Sequence, residues 1–72
     1  MKPLALTVIQ LPGAPRVRIL LTRAELRGCY HATCRVTYDD GNETIETIEA
    51  AHYDDGLRAY GEMVRRHLAP DI

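Results

Sequence analysis

The stretch Cys29-Tyr30-His31-Ala32-Thr33-Cys34-Arg35-Val36-Thr37-Tyr38-Asp39-Asp40-Gly41 decides the fold. From Cys29 to Asp39 the pattern has a period of two. Tyr30, Ala32, Cys34, Val36 and Tyr38 fall on one side, and His31, Thr33, Arg35 and Thr37 on the other. That is a strand with one face against a core. Asp40-Gly41 follows, a dipeptide that tolerates the positive φ values of a two-residue hairpin loop. Such a loop sets Val36 opposite Ile45 in the core and Thr37 opposite Thr44. It also sets Arg35 opposite Glu46 as an ion pair on the solvent face.

The return segment, Glu43 to Glu49, reads ETIETIE and repeats every third residue. In the two-residue register Ile45 points inward and Ile48 is one position out of phase. Two readings stay open. One is a strand with a β-bulge after Ile45; the other is a helical segment with Ile45 and Ile48 on one stripe. The β-branched content and the Asp-Gly turn favour the strand.

Upstream, Leu4 to Leu11 (LALTVIQL) is β-rich and almost wholly apolar. It reads as a strand buried on both faces or lying at a contact surface. In Pro12-Gly13-Ala14-Pro15, proline presets φ and Gly13 supplies the positive φ of a type II turn. Arg16 to Thr22 forms a second strand, with Val17, Ile19 and Leu21 on one face and Arg16, Arg18 and Leu20 on the other. Thr22 to Gly28 is a break, in which Thr22 and Glu25 are spaced to cap one helical turn and Gly28 to end it.

Downstream, Asp54 is spaced to cap a helix, and Asp55 suits its first turn. Leu57, Tyr60, Val64 and Leu68 form an apolar stripe, with Gly61 in it for close packing. Glu62 and Arg66 are spaced as an i,i+4 pair. Arg65, Arg66 and His67 suit the negative end of the helix dipole, and Pro70 stops the helix. The reading is an α+β fold: an antiparallel sheet of about four strands, in two hairpins, packed on one C-terminal amphipathic helix. Its 72 residues leave room for a single domain over 1–72.

Size and composition exclude several classes. So short a chain has little apolar area to spare for a deep cleft, which argues against an enzyme. Trp and Phe are absent, so the core draws on Leu, Ile, Val, Ala and Tyr. No segment reaches the roughly 20 apolar residues of a membrane span, and Lys2-Pro3 makes a poor start to a signal peptide. Cys29 and Cys34 lie on opposite strand faces, about 17 Å apart along the strand, too far for a disulfide. Two free thiols point to a reducing compartment, the cytoplasm.

The chemistry-bearing residues are few. Cys29, His31, His52 and His67 are possible ligands, and Cys29 and His31 share a strand face. Their spacing matches no zinc pattern, so neither a metal nor another cofactor is expected. No phosphate loop, nucleophile elbow or paired-carboxylate motif occurs, so no catalytic residue is assigned. Of the nine basic residues only Lys2 is not Arg, and Arg16, Arg18, Arg23, Arg27 and Arg35 fall in the first half. A net charge of −1 and a pI near 6.3 nevertheless lack the basic footprint of a nucleic-acid binder. The acids segregate instead. Asp39, Asp40, Glu43, Glu46, Glu49, Asp54 and Asp55 fall in one stretch that holds no Lys or Arg. Such a negative surface steers association with a positive one.

The chain length, the sheet-plus-helix plan and the acidic run Asp39 to Asp55 resemble the small standalone proteins of phages and mobile elements, anti-CRISPR proteins especially. That resemblance implies a non-catalytic inhibitor that covers a basic, nucleic-acid-binding surface of its target. Tyr38-Asp39-Asp40-Gly41 followed by the helix from Leu57 to Leu68 is also similar to HicB-like antitoxin domains. The expectation is a cytoplasmic, non-enzymatic protein-binding inhibitor or adaptor. It docks on a basic protein surface through Asp39, Glu43, Glu46, Glu49, Asp54 and Asp55. Asp39, Glu43 and Glu49 have the least local structural reason to be acidic. The alternative is a small nucleic-acid-binding or HicB-like regulatory domain using the Arg-rich strands. A homodimer through Leu4 to Leu11 is a third possibility.

Overall fold

A computed structural model describes residues 3–68. Four strands follow one another, β1 (Ala5–Ile9), β2 (Arg16–Ala24), β3 (Cys29–Thr37) and β4 (Glu43–Ala50), and then one helix, α1 (Tyr53–Leu68). The strands form a single antiparallel sheet in the order β1-β2-β3-β4. The helix lies across one face of that sheet, which gives the expected α+β fold of two layers. The helix stop assigned to Pro70 lies outside the described residues.

The core sits between the helix and the central strands. Ile9, Val17, Ile19, Leu21, Ala32, Cys34 and Met63 are buried there, with Ala5, Tyr30, Val36, Ala59, Tyr60 and Val64 packed around them. The alternation read for β2 and β3 therefore holds. β1 is not buried on both faces. Ala5 and Ile9 turn toward the helix, Thr7 hydrogen-bonds Tyr60, and Leu4, Leu6 and Val8 remain exposed.

The turns show how local chemistry sets register. Leu11 O accepts from Ala14 N at 3.1 Å, and Gly13 has φ 74°, as a type II turn over Pro12-Gly13 requires. Thr22 does not cap a helical turn; it lies inside β2, paired with His31. The β2–β3 loop closes on the carbonyl of Ala24, which accepts from Arg27 N and from Gly28 N, and Gly28 takes φ 67°.

The β3–β4 loop is not the two-residue Asp40-Gly41 turn. Tyr38 N donates to Asn42 O at 2.8 Å and Gly41 N to Tyr38 O at 3.0 Å, with Gly41 at φ 90°. The loop is Asp39-Asp40-Gly41, one residue longer. The Asp40 carboxylate supports it by accepting from the Asn42 backbone N at 3.0 Å and from its side-chain amide at 2.8 Å. One added loop residue shifts the pairing by one and exchanges the two faces of β4. Val36 pairs with Thr44, Arg35 with Ile45, Cys34 with Glu46 and Ala32 with Ile48. Ile48 turns toward the helix and Ile45 away from it. Neither a bulge nor a helix is needed, and β4 is continuous.

The helix is present as expected, but it seats on other residues. It begins at Tyr53, so Asp54 and Asp55 both occupy the first turn and Asp54 is not the cap. The face on the sheet carries Gly56, Ala59, Tyr60, Met63 and Val64. Leu57 and Leu68 are exposed. The close-packing glycine is Gly56 rather than Gly61. A Cβ at Gly56 would lie 3.0 Å from Tyr30 Cβ and 3.3 Å from Leu21 Cδ1, whereas one at Gly61 would meet nothing within 4 Å. Tyr53 meets Tyr30 edge-on, with ring centroids 5.6 Å apart. Glu62 pairs with Arg65 at 3.7 Å rather than with Arg66.

Candidate functional site

Among the described residues one helix covers one side of the sheet, and no layer lies over the other side. That open face carries Leu6 and Val8 from β1, and Arg16, Arg18, Leu20 and Thr22 from β2. From β3 come His31, Thr33, Arg35 and Thr37, and from β4 Glu43, Ile45, Thr47 and Glu49. An antiparallel face turned to water is ordinarily polar. Here Leu6 and Val8 are each 47% exposed and Ile45 is 57% exposed. Aliphatic side chains thus sit where threonine or a charge would serve a solvated sheet better.

At the Pro15 end of this face the arginines gather. Arg16 and Arg18 project from β2, and Arg18 is paired across strands with Arg35. Like charges opposite one another oppose sheet formation. Glu43 relieves part of this, accepting from Thr37 Oγ1 at 3.2 Å and standing 4.0 Å from Arg35. Among the described residues neither Arg16 nor Arg18 forms an ion pair. Val8 and Ile45 flank Arg18 and Arg35 in the same cross-strand row.

At the opposite end a second constellation forms. Cys29 and His31 share the open face of β3, and Glu49 lies directly across from His31 on β4. Cys29 Sγ donates to Glu49 Oε2 at 3.1 Å, His31 Nε2 is 3.3 Å from the same oxygen, and Sγ and Nε2 are 3.9 Å apart. Arg27 stands 3.6 Å from that carboxylate. The hydrogen bond to Glu49, burial and the carboxylate's charge push the Cys29 thiol above its ordinary pKa. The bonds from Cys29 and His31 hold Glu49 below the usual carboxylate range. The near neighbourhood of Cys29 and His31 is legible in their i,i+2 spacing; Glu49 enters only through the register of β4.

The acids expected to form one docking surface are dispersed. Asp39 and Asp40 sit at the tip of the β3–β4 loop, Glu43 and Glu49 on the open face, Glu46 on the helix side, and Asp54 and Asp55 at the start of the helix. Several have local partners. Glu46 accepts from Arg66 at 2.7 Å, not from Arg35 as the two-residue register required. Asp55 lies 3.7 Å from Arg58. Glu43 and Glu49, which had seemed to lack a local role, are the two acids that pair on the open face.

On the helix side Cys34 Sγ lies 3.4 Å from His67 Nε2. The thiol is buried, and desolvation followed by the nearby Glu46 raises its pKa. Such a thiol is protonated and shielded, the opposite of an activated nucleophile. Cys29 and Cys34 occupy opposite faces and are both free, as their spacing demands. No described helix is long and apolar enough to cross a membrane.

Comparison of the chain with protein-family models, with curated proteins and with solved structures finds no match.

Proposed function

We propose that this chain is a non-enzymatic protein-binding module, an inhibitor or adaptor, that docks through the open face of its sheet. The observation that carries this reading is the row Val8–Arg18–Arg35–Ile45. It sets two arginines side by side between two exposed aliphatics, with no described residue layered above them. A solvated face gains nothing from that arrangement. A partner offering an acidic side chain to the arginines and apolar ones to Val8, Leu6 and Ile45 makes it favourable, since desolvated arginine within an apolar surround is a common interface anchor. The partner surface is thus acidic and apolar. The sequence pattern alone had pointed to a basic one, because the acids there were counted along the chain and not by face.

Nucleic acid fits the same arginines less well. Recognition of single strands on a sheet uses exposed aromatic rings as stacking platforms. All four tyrosines, Tyr30, Tyr38, Tyr53 and Tyr60, lie on the helix side of the sheet or on the helix itself.

The test compares captured partners across variants in native-host extract, with gel shifts and light scattering in parallel. Val8→Glu with Ile45→Glu, and separately Arg18→Glu, are expected to abolish capture of a partner that wild type and Asp54→Lys/Asp55→Lys retain. A partner kept by the open-face variants, but lost on converting Glu43, Glu46 and Glu49 to Lys, overturns the reading. So does a nucleic-acid shift that depends on Arg16 and Arg18. A concentration-dependent dimer abolished by Val8→Glu also overturns it, by making the occupant a second copy.

A further inference from the structure

We propose that Cys29, His31 and Glu49 form a zinc-binding site with three protein ligands and a fourth position open to solvent. The sulfur, the imidazole nitrogen and the carboxylate oxygen lie close enough to share one ion. Tetrahedral zinc has bonds of about 2.3 Å to sulfur and about 2.0–2.2 Å to nitrogen and oxygen, which sets its ligand atoms about 3.3–3.6 Å from one another. The three separations here are 3.9 Å for Sγ to Nε2, 3.1 Å for Sγ to Oε2 and 3.3 Å for Nε2 to Oε2. Each is within a few tenths of an ångström of an edge of that tetrahedron. Small rotamer adjustments would seat an ion.

The backbone explains why the geometry is so close. Cys29 and His31 are two apart on one strand and therefore parallel, and Glu49 is the cross-strand partner of His31. All three ligands project from paired strands, which hold a site more firmly than loops do. The donor set of one thiolate, one imidazole and one carboxylate suits zinc, and its charge neutralises the divalent ion. In the metal-free protein the Cys29 thiol proton is held against Glu49. Binding releases that proton to solvent, and sulfur and carboxylate then both face the ion. The Arg27 guanidinium, on a side chain 75% exposed, is free to swing away from Glu49. The Cys34–His67 pair on the other side of the sheet provides an internal control, since the carboxylate near it among the described residues, Glu46, is taken by Arg66.

The experiment titrates the untagged full-length protein with cobalt(II) as a spectroscopic substitute for zinc. One ion per chain is expected, with a thiolate-to-cobalt charge-transfer band and the strong visible bands of tetrahedral cobalt, all removed by added zinc. Cys29→Ser should abolish the charge-transfer band. Glu49→Gln, at an exposed side chain that leaves the fold intact by circular dichroism, should weaken binding by at least the 10–100-fold that loss of a mere supporting group costs. Cys34→Ser should leave the spectrum unchanged. The proposal is overturned if folded wild-type protein gives no charge-transfer band, if the band survives Cys29→Ser, if Glu49→Gln binds as wild type, or if Cys34→Ser removes it. None of these outcomes depends on finding the partner of the open face.

Discussion

The seating of the helix can be tested with its two glycines. Both Gly56 and Gly61 lie within α1. Replacing a helical glycine by alanine stabilises by about 0.8–1.0 kcal/mol through the backbone alone. At Gly61 the new methyl meets nothing within 4 Å, so Gly61→Ala should realise the full gain. In a domain of this size that corresponds to a rise in Tm of about 4–8 °C. At Gly56 the same methyl would approach Tyr30 Cβ at 3.0 Å and Leu21 Cδ1 at 3.3 Å. Leu21 Cδ1 ends a flexible side chain, but Tyr30 Cβ is bonded directly to the backbone of β3 and yields only if the strand or the helix shifts. Overpacking of this kind costs about 1–3 kcal/mol, which cancels or exceeds the backbone gain. Gly56→Ala should therefore range from neutral to about 2 kcal/mol less stable than wild type, and always fall below Gly61→Ala. Thermal and urea unfolding followed by circular dichroism measure both. If the two variants are stabilised equally, the first turn of α1 does not rest on Tyr30 and the packing described for the core is wrong.

Other expectations follow from the same geometry. Met63 is 1% exposed at the centre of the core, so Met63→Ala should cost about 2–5 kcal/mol in chemical denaturation; a loss under 1 kcal/mol would contradict its burial. The β3–β4 register is tested by Ile45→Lys and Ile48→Lys. Ile48 lines a groove with Ala59 and Met63 on the helix side and is 39% exposed, against 57% for Ile45 on the open face, so Ile48→Lys should destabilise more than Ile45→Lys, which should stay within about 0.5 kcal/mol of wild type. The reverse order would restore the two-residue loop. Cys34, buried and with its thiol pKa raised by desolvation, should resist alkylation at neutral pH until the protein unfolds, as peptide mapping of iodoacetamide-treated protein would show. Arg66→Ala removes an ion pair between two half-exposed side chains and should cost no more than about 1 kcal/mol, less in high salt.

Much of the fold lies in local pattern. The alternation from Cys29 to Tyr38 suffices to place Ala32 and Cys34 inward and to separate the two thiols. Val17, Ile19 and Leu21 do the same for β2. Gly13 and Gly28 mark turns because few other residues take their positive φ, Pro12 presets the φ before Gly13, and the acidic start and basic end of the helix mark its polarity. These features depend on residues that are neighbours along the chain. What the pattern left undecided depends on one residue of loop length. Asp40-Gly41 fits a two-residue loop as well as the longer one observed, and Asp40 selects the longer by binding Asn42 across the turn. Because side chains alternate along a strand, that choice sends Ile45 to the open face and Ile48 to the helix side. It moves Glu46 to Arg66 and sets Glu49 beside Cys29 and His31. Likewise the helix pattern allowed a stripe through Leu57 and Gly61, and only the surface of β2 and β3 selects Gly56 and Met63. The sequence by itself determined the first three strands, the C-terminal helix, their order and the inward face of each central strand, and left the segment after the Asp-Gly turn open between strand and helix. The tertiary structure decided which face of β4 and of α1 meets the core, and thereby which charges stand together, because pairing register and packing are set between segments and not within them.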